Sequence, residues 1–293
     1  MKLKIGYVYI LLMPTLAILV FLSVIPLSFG GMLNVVSWRF GEPWSKMTFV
    51  GGSNFEWMFL GGDKEYWHSV YVTIQFGVIA TIIEFSLGFG LALLLNQKLK
   101  GESIIRTLLI IPLGVTPVII GLVWKLMLNY DYGIFSYFLQ SIGLNINWFS
   151  YDNALMAVIL VDVWASLPFI TLSLLSGLKS LSKSPYEAAQ IDGASHFQIF
   201  RYITLPSIAP VAYMILFLKI IAALGAYGVP FIVTGGGPAL ATEVLSIHVQ
   251  RISFGRLDMG KGSVIATSLT LLTMAVLAVM IKLTNFGAEK TET

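Results

Sequence analysis

Long stretches without charge constrain this chain more than any other feature. Residues 7–28 carry no charged side chain at all. A helix needs about 20 mostly apolar residues to cross a hydrocarbon core roughly 30 Å thick, because it rises about 1.5 Å per residue. Six stretches meet that requirement: 7–28, 66–96, 104–128, 153–177, 205–227 and 262–284. The second is longer than a bilayer requires, so part of it should project or tilt. Composition agrees. Only 11% of the 293 residues are charged and 57% are hydrophobic, whereas a soluble domain carries about 25% charged residues. That excludes a soluble globular enzyme, which needs polar cover, and it excludes disorder. The net charge of +3, with no long basic run, gives no reason to expect a nucleic-acid partner. With no cysteine there are no disulfides, thiolate metal sites or cysteine nucleophiles. The expected fold class is an all-α integral membrane protein with six transmembrane helices, surrounded by membrane lipid.

Lys2 and Lys4 before the first stretch resemble the start of a secretory signal. The stretch is longer than the 7–15-residue apolar region of a signal peptide and no A-x-A-like site follows, so it reads as a retained helix. Lysine and arginine then set orientation. With the N-terminus inside, Lys2, Lys4, Lys98, Lys100, Arg106, Lys179, Lys183, Arg201, Lys282 and Lys290 face the cytoplasm, and Arg39, Lys46, Lys64, Arg251, Arg256 and Lys261 face out, 10 against 6. Trp38, Trp44, Trp57, Trp67, Trp124 and Trp148 fall in the outer loops or near outer helix ends, as interfacial rings prefer. In the outer loop 29–65, Ser53-Asn54-Phe55-Glu56 fits a capping box, and the loop there is either a short surface helix or a turn. No internal repeat is evident, which weighs against secondary transporters built from inverted repeats.

Several chemical signals fail. Residues 255–262 nearly spell a phosphate-binding loop, but Gly262 stands where Ser or Thr must bind the nucleotide's magnesium, and no strand precedes it. His68, His196 and His248 have no ligand-spaced companions, so no metal site is expected. No spacing suggests a nucleophile with its base, and no catalytic residue is expected.

The most informative segment joins the fourth and fifth stretches. Ser184 can cap a helix, Pro185 suits its first position, and Glu187, Ala188, Ala189 and Gln190 favour helix. Gly193 suits a left-handed helix end, and Ser195 with Gln198 forms a second capping box. Two short helices should meet at a glycine outside the bilayer, and Pro206 marks the start of the next span. Here a family resemblance becomes visible. Glu187, Ala188, Ala189, Gly193, Ile203, Leu205 and Pro206 match the E-A-A---G---------I-L-P signature of permease subunits of binding-protein-dependent ABC importers. An ordinary capped loop, with Glu187 serving only its own helix, is the alternative. The resemblance implies the type I permease fold, with a first helix and outer loop over 1–65, a core of five helices over 66–286 containing the coupling loop 182–206, and a cytoplasmic tail 287–293. It implies that the loop docks on a cytoplasmic ATPase, with Glu187 making a polar contact there, Ala188 and Ala189 allowing close approach and Gly193 turning the chain. It also implies two ATPase subunits that bind the ATP, a second homologous permease and a soluble extracytoplasmic binding protein. This chain itself would need no cofactor. Thr234-Gly235-Gly236-Gly237-Pro238, followed by Thr242-Glu243 and Phe254, is similar to a segment of carbohydrate-type permeases, of the maltose and glycerol-phosphate kind; a flexible outer turn is the alternative. The resemblance places the chain in the inner membrane of a prokaryote with both termini cytoplasmic, importing a sugar or related solute. Amino-acid, peptide or phosphate permeases share the loop signature, and a secondary transporter is the more distant alternative. Departures stand at His248, Gln250, Arg251, Lys261-Gly262-Ser263 and Lys219.

Glu84, Asp162 and Lys219 fall well inside predicted spans. A charge at the bilayer centre costs about 2.5–3.5 kcal/mol, so such groups face a partner or a wet cavity. Asp162 and Lys219 lie at similar depth and should meet, either as a structural ion pair or in contact with substrate. Glu84 lies deeper and is expected to face the partner permease. Trp164 and Tyr227 are candidates for stacking on a sugar ring, completing a candidate pathway of Asp162, Trp164, Lys219, Tyr227 and Glu84.

Overall fold

The computed structural model describes residues 5–97 and 101–284, with side chains described from Leu12 onward. Lys2, Lys4, Lys98, Lys100 and Lys290, which enter the charge count above, lie outside the described residues, as does the expected tail 287–293. The regular structure is overwhelmingly helical. In chain order the elements are α1 (Ile5–Leu33), β1 (Val36–Ser37), β2 (Thr48–Phe49), α2 (Ser53–Phe59), α3 (Tyr66–Asn96), α4 (Glu102–Ile110), α5 (Pro117–Met127), α6 (Ile134–Ser141), α7 (Ala154–Ser180), α8 (Ser184–Ile191), α9 (His196–Ile199), α10 (Leu205–Leu224), α11 (Gly228–Thr234), α12 (Leu245–Gln250) and α13 (Met259–Thr284). A π-turn, Phe200–Thr204, joins α9 to α10 without a break, so that His196–Leu224 is one 29-residue apolar helix.

Five helices are long and apolar enough to cross a membrane, and the bent pair α4–α5 makes up the sixth segment. That pair corrects the expectation of one continuous span over 104–128. Between the two halves the axis turns by 104°. The cause is legible in Ile111-Pro112-Leu113-Gly114-Val115-Thr116-Pro117. Pro117 drives the residue before it out of the helical region, and Thr116 is extended at φ −70°, ψ 148°. Pro112 and Gly114 confine the preceding stretch to a short 3-10 turn, Ile111–Gly114.

The chain divides into two compact units, Met1–Tyr66 with His248–Thr270, and Trp67–Ile247 with Leu271–Thr293. In the first, β1 and β2 pair antiparallel in the register Val36↔Phe49 and Ser37↔Thr48, over a small core of Leu33, Val36 and Trp38 backed by Phe29, Met47 and Met259. Asn54 of α2 donates to the carbonyls of Asn34 and Val36 at 3.0 and 2.9 Å, and Asn34 donates to Thr267 of α13. Residues 53–59 are therefore helical, as one of the two alternatives held. The cap differs, however: Gly52 occupies the cap position with no side-chain bond, and Ser53 is already helical. Gly262, the near-miss of the phosphate loop, lies in the first turn of α13. A Cβ there would fall 1.9 Å from Ser253 Oγ, so glycine permits this close approach.

In the second unit, small residues let the long helices touch. A Cβ on Gly88 of α3 would fall 2.6 Å from Ile170 of α7, and one on Gly177 of α7 would fall 2.8 Å from Ile208 and Val211 of α10. Without a solvent-driven hydrophobic effect, such close packing is what holds membrane helices together. One apolar cluster gathers Val72, Phe76 and Ala80 of α3 with Ala157, Val158 and Val161 of α7. A second gathers Ala92 and Leu95 with Ile170, Leu174 and Ile208. Pro168 inside α7 is accommodated near Thr171, whose hydroxyl donates to the Leu167 carbonyl at 2.8 Å.

Candidate functional site

Between α7 and α10 the loop forms as two short helices about a glycine. Pro185 sits in the first turn of α8, where its missing N–H is no loss. Lys183 rather than Ser184 occupies the cap position, with no side-chain bond, which corrects the expected Ser184 cap. Gly193 adopts φ +75°, and nothing lies within 4 Å of where its Cβ would be. Conformation, not space, therefore requires glycine there. Both halves of the second capping box are present: Ser195 Oγ accepts from Gln198 N at 3.3 Å, and Gln198 Oε1 accepts from Ser195 N at 2.7 Å. Tyr186 of α8 bonds through its hydroxyl to Thr204 at 3.3 Å, tying α8 to the start of α10. At the other end of the loop Lys179 donates to Glu102 at 3.0 Å, and Arg106 also pairs with Glu102.

The loop presents Glu187 and Ala188 outward. Ala189 turns inward and is buried, so of the two alanines only Ala188 lies on the open face. Among the described residues Glu187 has no ion-pair partner. Around it Ile191 is 87% exposed and Phe197 72%. Large apolar side chains this open beside an unpaired carboxylate are the composition of a contact surface.

The expected buried charges meet. Lys219 Nζ donates to Asp162 Oδ2 at 2.9 Å and to Ser166 Oγ at 3.0 Å, Ser166 standing one helical turn beyond Asp162. The same ammonium lies 2.7 Å from Glu84 Oε2, an ion-pair contact outside hydrogen-bond angles. Glu84 is fully buried inside this chain, which corrects the expectation that it faces a partner permease. One ammonium thus serves two carboxylates, a formal charge of −1. Trp164 and Tyr227 are not brought to this cluster. Trp164 is two residues from Asp162, about 200° around the helix, and packs edge-on against Trp124 at 5.8 Å in an apolar groove with Val115, Ile119 and Met127. Tyr227 stacks on Phe231 at 4.9 Å.

The glycine-rich segment is ordered by its own hydrogen bonds rather than being a flexible turn. Gly235 and Gly236 take positive φ. The Thr234 and Thr242 hydroxyls lie 2.7 Å apart, and Thr242 donates to the Gly237 carbonyl at 3.0 Å. His68 of α3 bonds the Leu240 carbonyl at 2.9 Å, and Thr73 accepts from Leu245 N at 2.7 Å. Thr242 and Glu243 are buried.

Sequence reasoning missed a second polar cluster, in the first unit. His248 is fully buried, with Nε2 2.7 Å from Asp63 Oδ2 and Nδ1 3.0 Å from the Arg251 guanidinium. A guanidinium can only donate, so Nδ1 accepts and Nε2–H donates to Asp63. Burial pushes the Asp63 carboxyl up. The hydrogen bond from His248 and the backbone N–H groups of Glu65 and Tyr66 outweigh it and hold Asp63 below the usual carboxylate range. Arg251 and Arg256 both pair with Glu65, and the Arg251 hydrogen bond holds Glu65 low as well. The only sequence signal was the presence of His248 and Arg251 as departures from the family pattern; nothing in 63–65 pointed to them.

Spanning helices gathered by small residues, and a helix–glycine–helix loop displayed between two of them, define a polytopic transport permease of the ABC importer type I fold. Residues 84–283 match the family described as the binding-protein-dependent transport system inner membrane component. The chain belongs to that family. It is 35% identical over 286 residues to the trehalose/maltose transport system permease protein MalF of Thermococcus litoralis, covering 97% of this chain and 94% of the relative. It is 33% identical over 235 residues to the sn-glycerol-3-phosphate transport system permease protein UgpA of Brucella suis, covering 80% of each. Among solved structures, a bacterial alginate ABC transporter in complex with an alginate pentasaccharide-bound periplasmic protein aligns with a TM-score of 0.78, 20% identity and coverage of 98% of this chain and 96% of that one. At that identity the likeness speaks for the fold.

Proposed function

We propose that this permease imports an uncharged sugar, handed over by a soluble binding protein and driven by two cytoplasmic ATPase subunits through the loop 182–206. The carrying observation is the open face of α8, where Glu187, Ala188 and Ile191 stand unpartnered between two spans. Glu187 makes the polar contact to the ATPase, Ala188 allows close approach, Ala189 packs the loop from within and Gly193 holds the bend. The loop and both termini are cytoplasmic. The chain binds no cofactor and performs no ATP chemistry; a second, homologous permease completes the pathway.

The trehalose/maltose relative supports a sugar, and the charge cluster supports an uncharged one. Lys219 is already shared by Asp162 and Glu84, so this buried cluster offers no free cation to a phosphate or carboxylate. Asp162, Lys219 and Ser166 act on the pathway as hydrogen-bonding groups, with Glu84 holding Lys219 in place. Trp164 and Tyr227 stack on substrate from separate positions.

The test uses the full complex in proteoliposomes. Glu187→Arg is expected to abolish uptake of maltose or trehalose and to release the ATPase subunits on purification, while the permease pair stays folded. Uptake that survives Glu187→Arg with the ATPase still bound sinks the coupling role. Transport of sn-glycerol 3-phosphate in preference to both sugars sinks the uncharged-sugar reading alone.

A further inference from the structure

A groove of about 390 Å³ lies between α3 and α10, walled by Phe85, Phe89, Leu205, Ala212 and Leu216, with Arg201 at one end. Arg201 is exposed and has no hydrogen bond or ion pair among the described residues. No carboxylate lines the groove. One unpaired guanidinium above a mostly apolar cleft, whose other polar side chain is Tyr213, suits neither a plain anion nor a plain hydrocarbon. It suits an amphiphile with an anionic head.

The dimensions fit one leaflet. Arg201 stands in the second turn of the continuous helix His196–Leu224. Phe89 and Phe85 lie 7 and 11 residues before the end of α3 at Asn96, about 10 and 16 Å along a helix axis. Half of a roughly 30 Å hydrocarbon core is about 15 Å. Phe200, next to Arg201, packs on Phe89 at 6.3 Å, so the Arg201 backbone is level with Phe89, and a phosphate on its guanidinium would lay an acyl chain past Phe89 and Phe85 toward the bilayer midplane. We infer that this groove is a binding site for an anionic phospholipid, with the headgroup on Arg201 and a chain between α3 and α10. The inference rests on the cytoplasmic placement of the loop only to name the leaflet, which is then the inner one. The site adjoins the proposed moving parts, because Arg201 is in the π-turn Phe200–Thr204 within the loop 182–206, and π-turns recur at functional sites.

The experiment is native mass spectrometry of the purified complex, exchanged into equal amounts of phosphatidylglycerol and phosphatidylcholine. A basic residue at the interface favours anionic lipid roughly five-fold. Wild type should retain phosphatidylglycerol over phosphatidylcholine by about that factor. Arg201→Gln should bring the ratio to one, and Arg201→Lys should keep it. Ala212→Trp, which fills the groove, should lower retention of both lipids. Equal retention by wild type, or a preference that survives Arg201→Gln, overturns the inference. Should the Ala212→Trp complex fail to assemble, the two Arg201 variants still decide it. Because the chain has no cysteine, labelling Ser195→Cys from each side of sealed vesicles reports the leaflet independently. External labelling there would sink the cytoplasmic assignment of the loop and leave the lipid site standing.

Discussion

Replacing Lys219 by methionine removes the single cation of a buried three-charge cluster. Its ammonium lies 2.7 Å from Glu84 and 2.9 Å from Asp162, with Lys219 6% exposed and Glu84 not at all. The substitution takes the formal charge from −1 to −2 and leaves two carboxylates without a counter-ion. Removing one partner of a buried pair costs about 3–5 kcal/mol. At about 2–4 °C per kcal/mol, the complex should unfold roughly 6–20 °C lower. Glu84→Gln moves the charge the other way, to zero. It keeps the Lys219 bonds to Asp162 and Ser166, so the expected change is within about 1 kcal/mol of wild type. Asp162→Asn preserves the Glu84 contact but weakens the hydrogen bond and should fall between. Adding Glu84→Gln and Asp162→Asn to Lys219→Met should recover most of the loss, because no buried charge is then left unpaired. The assay is the fraction of monodisperse complex surviving a temperature series in detergent. If Lys219→Met unfolds within about 2 °C of wild type, or Glu84→Gln is the more damaging of the two, the ion-pair account of this cluster is wrong.

Two further outcomes follow from local geometry. Gly262→Ala places a methyl 1.9 Å from Ser253 Oγ and should destabilise the first unit by about 1–3 kcal/mol; Ser253→Gly in the same chain should restore it, as read by protease resistance of the 248–270 segment. Asp63 is held below its ordinary value of 3.8. Its contribution is therefore fully present above that value and lost as pH falls through the lower, folded one. Acid unfolding of the wild type followed by tryptophan fluorescence should show a loss of stability confined to below about pH 4. Asp63→Asn should be less stable at neutral pH and should show a shallower acid limb, the remainder coming from Glu65, which is also held low; an unchanged limb would remove Asp63 as a source.

Much of the loop 182–206 is legible in the sequence, because its determinants are local. A proline in the first turn, alanines beside a glutamate, a glycine that must turn left-handed and a Ser–Gln box all act within a few residues of themselves. The error at Ser184, displaced by one position, is of the same local scale. The meeting of Asp162 with Lys219 was legible for a different reason: a charge inside an apolar span must find a partner, and depth alone brought these two level. Glu84 escaped that argument because depth says nothing of which face of α3 turns toward α10.

What the amino-acid sequence determined by itself was therefore whatever follows from composition, period and short-range geometry: a membrane protein, its apolar spans, the loop and its bend. The 104° break between α4 and α5 was also written locally, in Pro112, Gly114 and Pro117. Tertiary structure alone decided which residues far apart in the chain share a site. It joined Asp63 to His248 across 185 positions and Glu84 to Lys219. It sent Trp164 and Tyr227 away from the charge cluster and set Phe85 and Phe89 opposite the α10 wall below Arg201. The physical reason is that contact between helices depends on rotation and close approach at particular small residues, such as Gly88 against Ile170 and Gly177 against Ile208. A helix that is apolar on nearly all sides carries little periodic signal to reveal that rotation.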